Sequence, residues 1–283
     1  MSPDIEGNVM LALGLTLFAG LATGLGSLVV FLARKPHMSL LCFGLGLSSG
    51  MMIYVSLAEF LPLASDIIGE SLGEKSGAWL AVGCFFGGML VAAVIDKLVP
   101  EPENPHEAIS LEAMQLARES EGVTDPGRGA DVKAASLARL GPLMALVIGL
   151  HNLPEGMATF ASALADASLG LSIAIAVAIH NIPEGMVIAI PTFFATRSRR
   201  KAIFHSFASG LAEPLGALLA YLVLMSFLND MVVAGMLAAV GGIMVFISLD
   251  ELLPTAREYG KGHTVIGGVA LGMAVMAVSL LLF

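Results

Sequence analysis

The sequence predicts an all-α integral membrane protein with eight transmembrane helices, and three observations predict it. Of 283 residues, 57% are hydrophobic and only 13% are charged, against the roughly 25% charge of a soluble domain. The apolar residues fall into eight runs, each of a length that crosses a bilayer. The runs before and after the fourth and fifth resemble each other in order, as an internal repeat does. Mean hydropathy is +0.87. These figures exclude a soluble enzyme, a disordered protein and a nucleic-acid binder. With 14 basic against 23 acidic residues, the net charge of -9 cannot neutralise phosphates. Two cysteines exclude a disulfide framework.

The spans cover about 9-32, 39-63, 78-98, 140-164, 168-195, 202-227, 231-254 and 263-283. None alternates as a strand does. Helices also satisfy their own backbone in lipid, which open strands cannot. Residues 1-8 lack the charged region and cleavage site of a signal peptide. Residues 1-283 therefore read as one membrane domain without a soluble one. Residues 99-139, between spans 3 and 4, are polar and hold Pro100, Pro102, Pro105 and Pro126. They read as a cytoplasmic loop with a short helix at 107-119. Its plain role is a solvated connector. Its sharper role is weak collection of cations by His106 and the loop acids.

Basic residues set orientation. Arg34 and Lys35 follow span 1. Lys97, Arg118, Arg128, Lys133 and Arg139 lie between spans 3 and 4. Arg197, Arg199, Arg200 and Lys201 lie between spans 5 and 6, and Arg257 and Lys261 between spans 7 and 8. That puts 13 of the 14 basic residues on one side, with Lys75 alone on the other. Those loops are expected in the cytoplasm and both termini outside the cell (inner) membrane.

Spans 1-3 correspond in order to spans 6-8. Residues 50-64, GMMIYVSLAEFLPLA, align with 242-256, GIMVFISLDELLPTA. Residues 19-32, AGLATGLGSLVVFL, align with 209-222, SGLAEPLGALLAYL. Residues 82-94 align more weakly with 266-278. An offset of five spans, an odd number, reverses the crossing direction. The expectation is an inverted repeat of spans 1-3 and 6-8 around spans 4-5, an arrangement of alternating-access transporters.

Spans 4 and 5 carry a second repeat: His151-Asn152-Leu153-Pro154-Glu155-Gly156 and His180-Asn181-Ile182-Pro183-Glu184-Gly185. His and Glu at i and i+4 share one helix face. Two imidazoles and two carboxylates suit zinc and other first-row divalent ions. Asn152 and Asn181, one position on, add amide oxygens to a neighbouring site. Pro154 and Pro183 block the bonds to the Leu150 and Ile179 carbonyls, so kinks are expected there. Gly156 and Gly185 admit close helix approach. A mid-membrane carboxylate is costly unless compensated. No Lys or Arg lies in the interior of the spans to do this, so a bound cation or a proton must. Glu213, beside Pro214 in span 6, belongs to the same group as a further ligand. The plain alternative is an interhelical hydrogen-bond network.

These residues resemble the ZIP (Zrt-, Irt-like) family of divalent-metal transporters. HNLPEG, HNIPEG, the SGLAEPLG segment and the eight-span layout with a long loop between spans 3 and 4 carry the resemblance, over essentially the whole chain. The His-Asn start of both motifs looks most like the bacterial ZupT-type branch. The resemblance implies a binuclear centre. His151, Glu155, His180 and Glu184 would hold one metal. Asn152, Asn181 and Glu213 would hold the second, with Glu155 and Glu184 bridging. Some relatives carry Gln-Asp at His180-Asn181, so here the first position is richer in nitrogen and the second less acidic. It also implies alternating access with spans 4 and 5 in the moving unit, and transport into the cytoplasm.

Glu59, Asp250 and Glu251 form a possible pathway. Glu59 closes span 2 toward the external face, and Asp250 and Glu251 lie toward the cytoplasmic end of span 7. Solvated helix ends are the plain alternative. His263 is a lesser candidate at that end, whereas His37, His205 and the Asp96-Lys97 pair read as interfacial or packing residues. The function expected is transport of zinc, and of iron(II), manganese, cobalt or cadmium, as cargo, with no cofactor and no enzymatic activity. No G-x-x-x-x-G-K-[ST] loop exists, so ATP does not drive it. The partners expected are divalent metal ions and the lipid bilayer, with no nucleic acid. Glycine-rich spans 3 and 8 could pack within one chain or in a homodimer. An intramembrane metal-dependent hydrolase is the alternative, weakened by the lack of H-E-x-x-H and of a general base.

Overall fold

The computed structural model describes residues 3-32, 38-98, 145, 148-224, 229-259 and 262-282. The 99-139 loop, with His106 and the helix expected at 107-119, lies outside them, as do Arg34, Lys35 and His37. The described residues are helical, without strands. Among the described residues, seven helices are long and apolar enough to cross a membrane. A further helix, 148-165, carries the first His-Asn-x-Pro-Glu-Gly motif. Helices are numbered below as the predicted spans were.

Span 1 is Pro3–Gly26, extended by Val29–Leu32 after a turn. Span 3 is Glu74–Leu98, span 5 Ala167–Thr196 and span 8 Gly262–Leu282. Span 6 is Arg199–Gly210 and Ala212–Leu219, interrupted at Leu211 ahead of Pro214. Polar side chains start the helices that follow tight connections. Asp166 accepts from the Leu169 N–H at 2.7 Å and Ser198 from the Lys201 N–H at 3.3 Å, which satisfies amides that have no partner inside the helix. Helix 148-165 and span 5 run unbroken through Pro154 and Pro183.

Span 2 corrects the sequence reading. It does not end at residue 63 but continues from Met38–Val55, through a π-turn at Ser56–Phe60, into Leu61–Leu72. Glu59 therefore lies within the helix and does not close it. Span 7 behaves alike: Asp230–Ile247, a π-turn at Ser248–Leu252, then Leu253–Tyr259. In each, the wider turn precedes a proline, Pro62 or Pro254. The Leu61 N–H reaches back five residues to Ser56 O, and the Leu253 N–H to Ser248 O. Opening the helix by one residue moves the carbonyl that the proline ring would otherwise meet. Ser56 and Ser248 donate to the Met52 and Met244 carbonyls at 2.6 and 2.8 Å.

The helices pack as two sets. Spans 1, 5 and 6 contact one another, with 148-165 against span 6 through Gly156 and Glu213. Spans 2, 3, 7 and 8 form the other set, with the pairs 2·8 and 3·7 the most extensive. Spans 2 and 5 join the sets. Span 5 is 78% buried, against 22% for span 3 and 28% for span 8. Trp79, Phe86 and Leu90 on span 3 project outward, as lipid-facing side chains do. The site is thus built in the most enclosed part.

Backbone contacts recur with partners exchanged. A Cβ added at Gly50 (span 2) would strike the Val269 carbonyl of span 8, and one at Gly242 (span 7) the Phe85 carbonyl of span 3. One at Gly185 would strike the Thr23 carbonyl, and one at Gly156 the Glu213 carbonyl. In the alignments above, Gly50 matches Gly242, Val269 matches Phe85, and Thr23 matches Glu213. Gly20 and Gly210 also match, and these two meet each other.

Candidate metal centre

The two motifs bring four side chains together. His151, Glu155, His180 and Glu184 are each at most 2% exposed. His180 Nδ1–H donates to the Ala176 carbonyl at 3.1 Å, one turn back on its own helix. That contact leaves the Nε2 lone pair toward the site, the usual way a backbone oxygen orients a metal-binding imidazole. Nε2 stands 2.7 Å from Glu155 Oε1. Two atoms with lone pairs hold that distance only with a positive partner, a proton or a metal ion.

The other contacts are longer. His151 Nε2 lies 3.9 Å from Glu155 Oε2 and 3.7 Å from Glu184 Oε1. Glu155 thus presents one oxygen to each histidine, across two helices. Donor atoms on a tetrahedral zinc with bonds of about 2.0–2.1 Å stand roughly 3.4 Å apart. The observed separations bracket that value. They show side chains converging in pairs: among the described residues, no three His, Cys, Asp or Glu are already arranged around one metal-sized point.

The asparagines reach spans 1 and 6. Asn152 Nδ2 donates to the Ser209 carbonyl of span 6 at 3.5 Å, and Asn181 Nδ2 to the Ala19 carbonyl of span 1 at 2.9 Å. Ala19 and Ser209 are matched residues of the repeat. Each amide group turns its nitrogen to a backbone, and each Oδ1 is left buried without a partner. Asn181 Nδ2 also donates to Glu213 Oε1. Glu213 is fully buried and within electrostatic reach of Glu155 and Glu184. The structure therefore brings Asn181 and Glu213 into contact, while Asn152 meets span 6 at Ser209.

Buried polar atoms normally find hydrogen bonds. Here a whole group does not. Both His151 nitrogens, Glu155 Oε2, both Glu184 oxygens, Glu213 Oε2 and the two asparagine oxygens have none. Leaving so many buried polar atoms bare is costly, and a divalent cation would satisfy several of them together.

The pathway candidates do not share this cluster's contacts. Glu59 is half-buried in the π-turn of span 2, and Glu251 is buried in that of span 7, facing Asp96 and Asp250. His263 is exposed at the start of span 8. Sequence reasoning missed Thr23, whose hydroxyl is buried without a partner. The signal was available, since the repeat sets Thr23 against Glu213.

Comparison with known proteins agrees with this chemistry. Residues 7–280 match the family described as ZIP Zinc transporter. The chain is 51% identical over 281 residues to the zinc transporter ZupT of Clostridium perfringens (strain 13 / Type A), covering 99% of this chain and 98% of that one. It is 52% identical over 278 residues to the zinc transporter ZupT of Lysinibacillus sphaericus (strain C3-41), covering 98% and 99%. The corresponding protein of Nitratidesulfovibrio vulgaris is 52% identical over 283 residues, with the same coverages.

Proposed function

Because the chain belongs to the ZIP zinc transporter family, we propose that it carries zinc, and other divalent ions such as iron(II), manganese, cobalt or cadmium, across the cell membrane into the cytoplasm. It is a multi-pass membrane transporter and not an enzyme, which retires the hydrolase alternative. One observation carries the site: Glu155 presents its two oxygens to His180 and His151 on separate helices. His151, Glu155, His180 and Glu184 hold the first ion. Asn152, Asn181 and Glu213 hold the second, with Glu155 and Glu184 bridging. The uncompensated lone pairs of this group support the assignment.

Eight spans in one domain, with both termini outside, complete the proposal. The exchanged contacts of matched residues support an inverted repeat of spans 1-3 and 6-8 around spans 4-5. Alternating access then moves spans 4 and 5, with 1 and 6, against spans 2, 3, 7 and 8. The division of the helices into those two sets supports this. Spans 3 and 8, the least buried, are the faces on which a homodimer would form. Ligands must shed protons to take the metal, so transport is linked to pH.

Zinc uptake into proteoliposomes tests the assignment. The chain with both His151→Ala and Glu155→Ala is expected to show no uptake above protein-free vesicles. Unchanged, saturable uptake by that variant would overturn it.

A further inference from the structure

Helix 148-165 carries polar groups that the metal centre does not use. His151, Glu155, Thr159 and Ser162 follow one another at spacings of four, four and three, which puts them on one helix face. Asp166, four residues on, continues that line into the connection before span 5, where it is exposed. From Glu155 to Asp166 is about 16 Å at 1.5 Å per residue. That is half the roughly 30 Å thickness of a hydrocarbon core. The line therefore joins the buried site to a membrane surface.

The hydroxyls on this line behave unlike most others in the molecule. Buried Ser and Thr on a helix ordinarily fold back onto a carbonyl three or four residues earlier. Thr16, Ser27, Ser49, Ser56, Thr192 and Ser248 all do so. Thr159 and Ser162 are fully buried, and neither hydroxyl has a hydrogen-bond partner. Two bare hydroxyls beside two motif ligands are unfavourable as packing. They are useful if their partner is intermittent.

The matched face of span 5 makes the contrast. Continuing from His180 and Glu184, it holds Ile188 and Pro191. Ile188 lies in the apolar core. The next hydroxyl on span 5, Thr192, is satisfied by the Ile188 carbonyl at 2.8 Å, so only helix 148-165 continues its ligand face with hydroxyls that lack a partner.

We propose that Thr159 and Ser162 form a relay for a partly hydrated divalent cation between the Glu155 centre and the surface turn at Asp166. Each hydroxyl oxygen replaces a water that the ion sheds on the way. The proposal rests on the reading of Glu155 as a metal ligand and adds the track that leads there.

The test uses the full chain in proteoliposomes with zinc alone, and equilibrium zinc binding to the purified protein. T159V removes a hydroxyl at nearly constant volume, and S162A removes the other. The double variant is expected to take up zinc about tenfold more slowly. Its equilibrium zinc affinity is expected to stay within about twofold of the unsubstituted chain. Thr159→Ser, which keeps the hydroxyl, is expected to retain the rate. If the double variant does not fold, Ser162→Cys in a chain with Cys42→Ala and Cys84→Ala supplies the second measurement. Its single thiol is expected to react with a small cationic thiosulfonate, and zinc is expected to slow that reaction. Uptake at the full rate by the double variant, or a thiol at position 162 that does not react, overturns the relay. E155A is measured alongside. Loss of zinc binding there, with normal uptake by the double variant, removes the relay alone; retained binding removes the metal centre and the relay with it.

Discussion

Spans 1 and 6 both reach the candidate metal centre, and they are matched segments with different chemistry. Each gives one backbone carbonyl to an asparagine: Ala19 to Asn181 and Ser209 to Asn152. Each lays a backbone against a motif glycine: Thr23 against Gly185 and Glu213 against Gly156. At the matched positions 23 and 213 they diverge. Span 1 offers a hydroxyl without a partner, and span 6 a carboxylate bound to Asn181. The scaffold is repeated where backbones touch, and the charge is supplied once. A second carboxylate at position 23 would add another buried negative charge to a site that already gathers Glu155, Glu184 and Glu213. In the proposed binuclear site, one-sided charge would put the two ions in unlike surroundings.

The largest test of this contrast is at the bridge between motifs. Glu155 stands 2.7 Å from His180 and 3.9 Å from His151, whereas Glu184 lies 3.7 Å from His151 and reaches His180 only at longer range. Glu155→Ala is expected to reduce zinc uptake by about a hundredfold or more, in line with losing several charge-assisted contacts. Glu184→Ala should cost less. Equal loss, measured as initial rates in proteoliposomes, would mean that the two motifs contribute alike.

Next comes the shared backbone. Gly20→Val and Gly210→Val each drive a side chain into the other span. Each is expected to destabilise the purified protein by about 1–3 kcal/mol, and the two by similar amounts. Gly83→Val, with nothing near its added carbon, should be close to neutral. Thermal unfolding in detergent reads all three. A large difference between positions 20 and 210 would break the match between the spans.

The exchange of positions 23 and 213 sharpens the comparison further. Glu213→Thr is expected to weaken binding of the second zinc by about tenfold, the loss of one charged contact. Adding Thr23→Glu should recover part of that, because the carboxylate then stands at the matched position on span 1. Calorimetric stoichiometry and affinity decide it, and no recovery would show that the sides are not interchangeable. The smallest effect is expected away from the centre. Arg199 donates to the Val30 carbonyl at 3.2 Å and sits 5.2 Å from the Phe31 ring centroid and 5.9 Å from that of Phe193. Arg199→Ala should lower stability by about 0.5–1 kcal/mol without changing zinc affinity.

Much of this was legible in the sequence, for definite reasons. Lipid allows few uncompensated polar groups, so the two His-Asn-x-Pro-Glu-Gly motifs and Glu213 stand out against apolar neighbours. Inner segments repeat because the same close approaches are used twice. Other features were not legible. Spans 2 and 7 read as ending at 63 and 254, near Pro62 and Pro254, where proline removes a donor and meets the preceding carbonyl. A π-turn just before each one relieves that conflict, and no residue type announces such a turn. Thr159 and Ser162 were invisible because Ser and Thr in a helix usually satisfy themselves. Only the hydrogen bonds show that these two do not. The asparagines were read as ligands, but their anchorage on Ala19 and Ser209 depends on backbones distant in sequence.

The meeting of Gly20 and Gly210 has a consequence for how this chain can vary. It is an isologous contact, the kind found where two identical subunits meet on a twofold axis, here enclosed within one polypeptide. A position on such an axis faces its own counterpart, so any bulk added there must be absorbed by the same position in the other half. The chain can diversify three residues away, where a threonine answers a glutamate. At positions 20 and 210 it has no such freedom, because a Cβ on either glycine would strike the other's carbonyl.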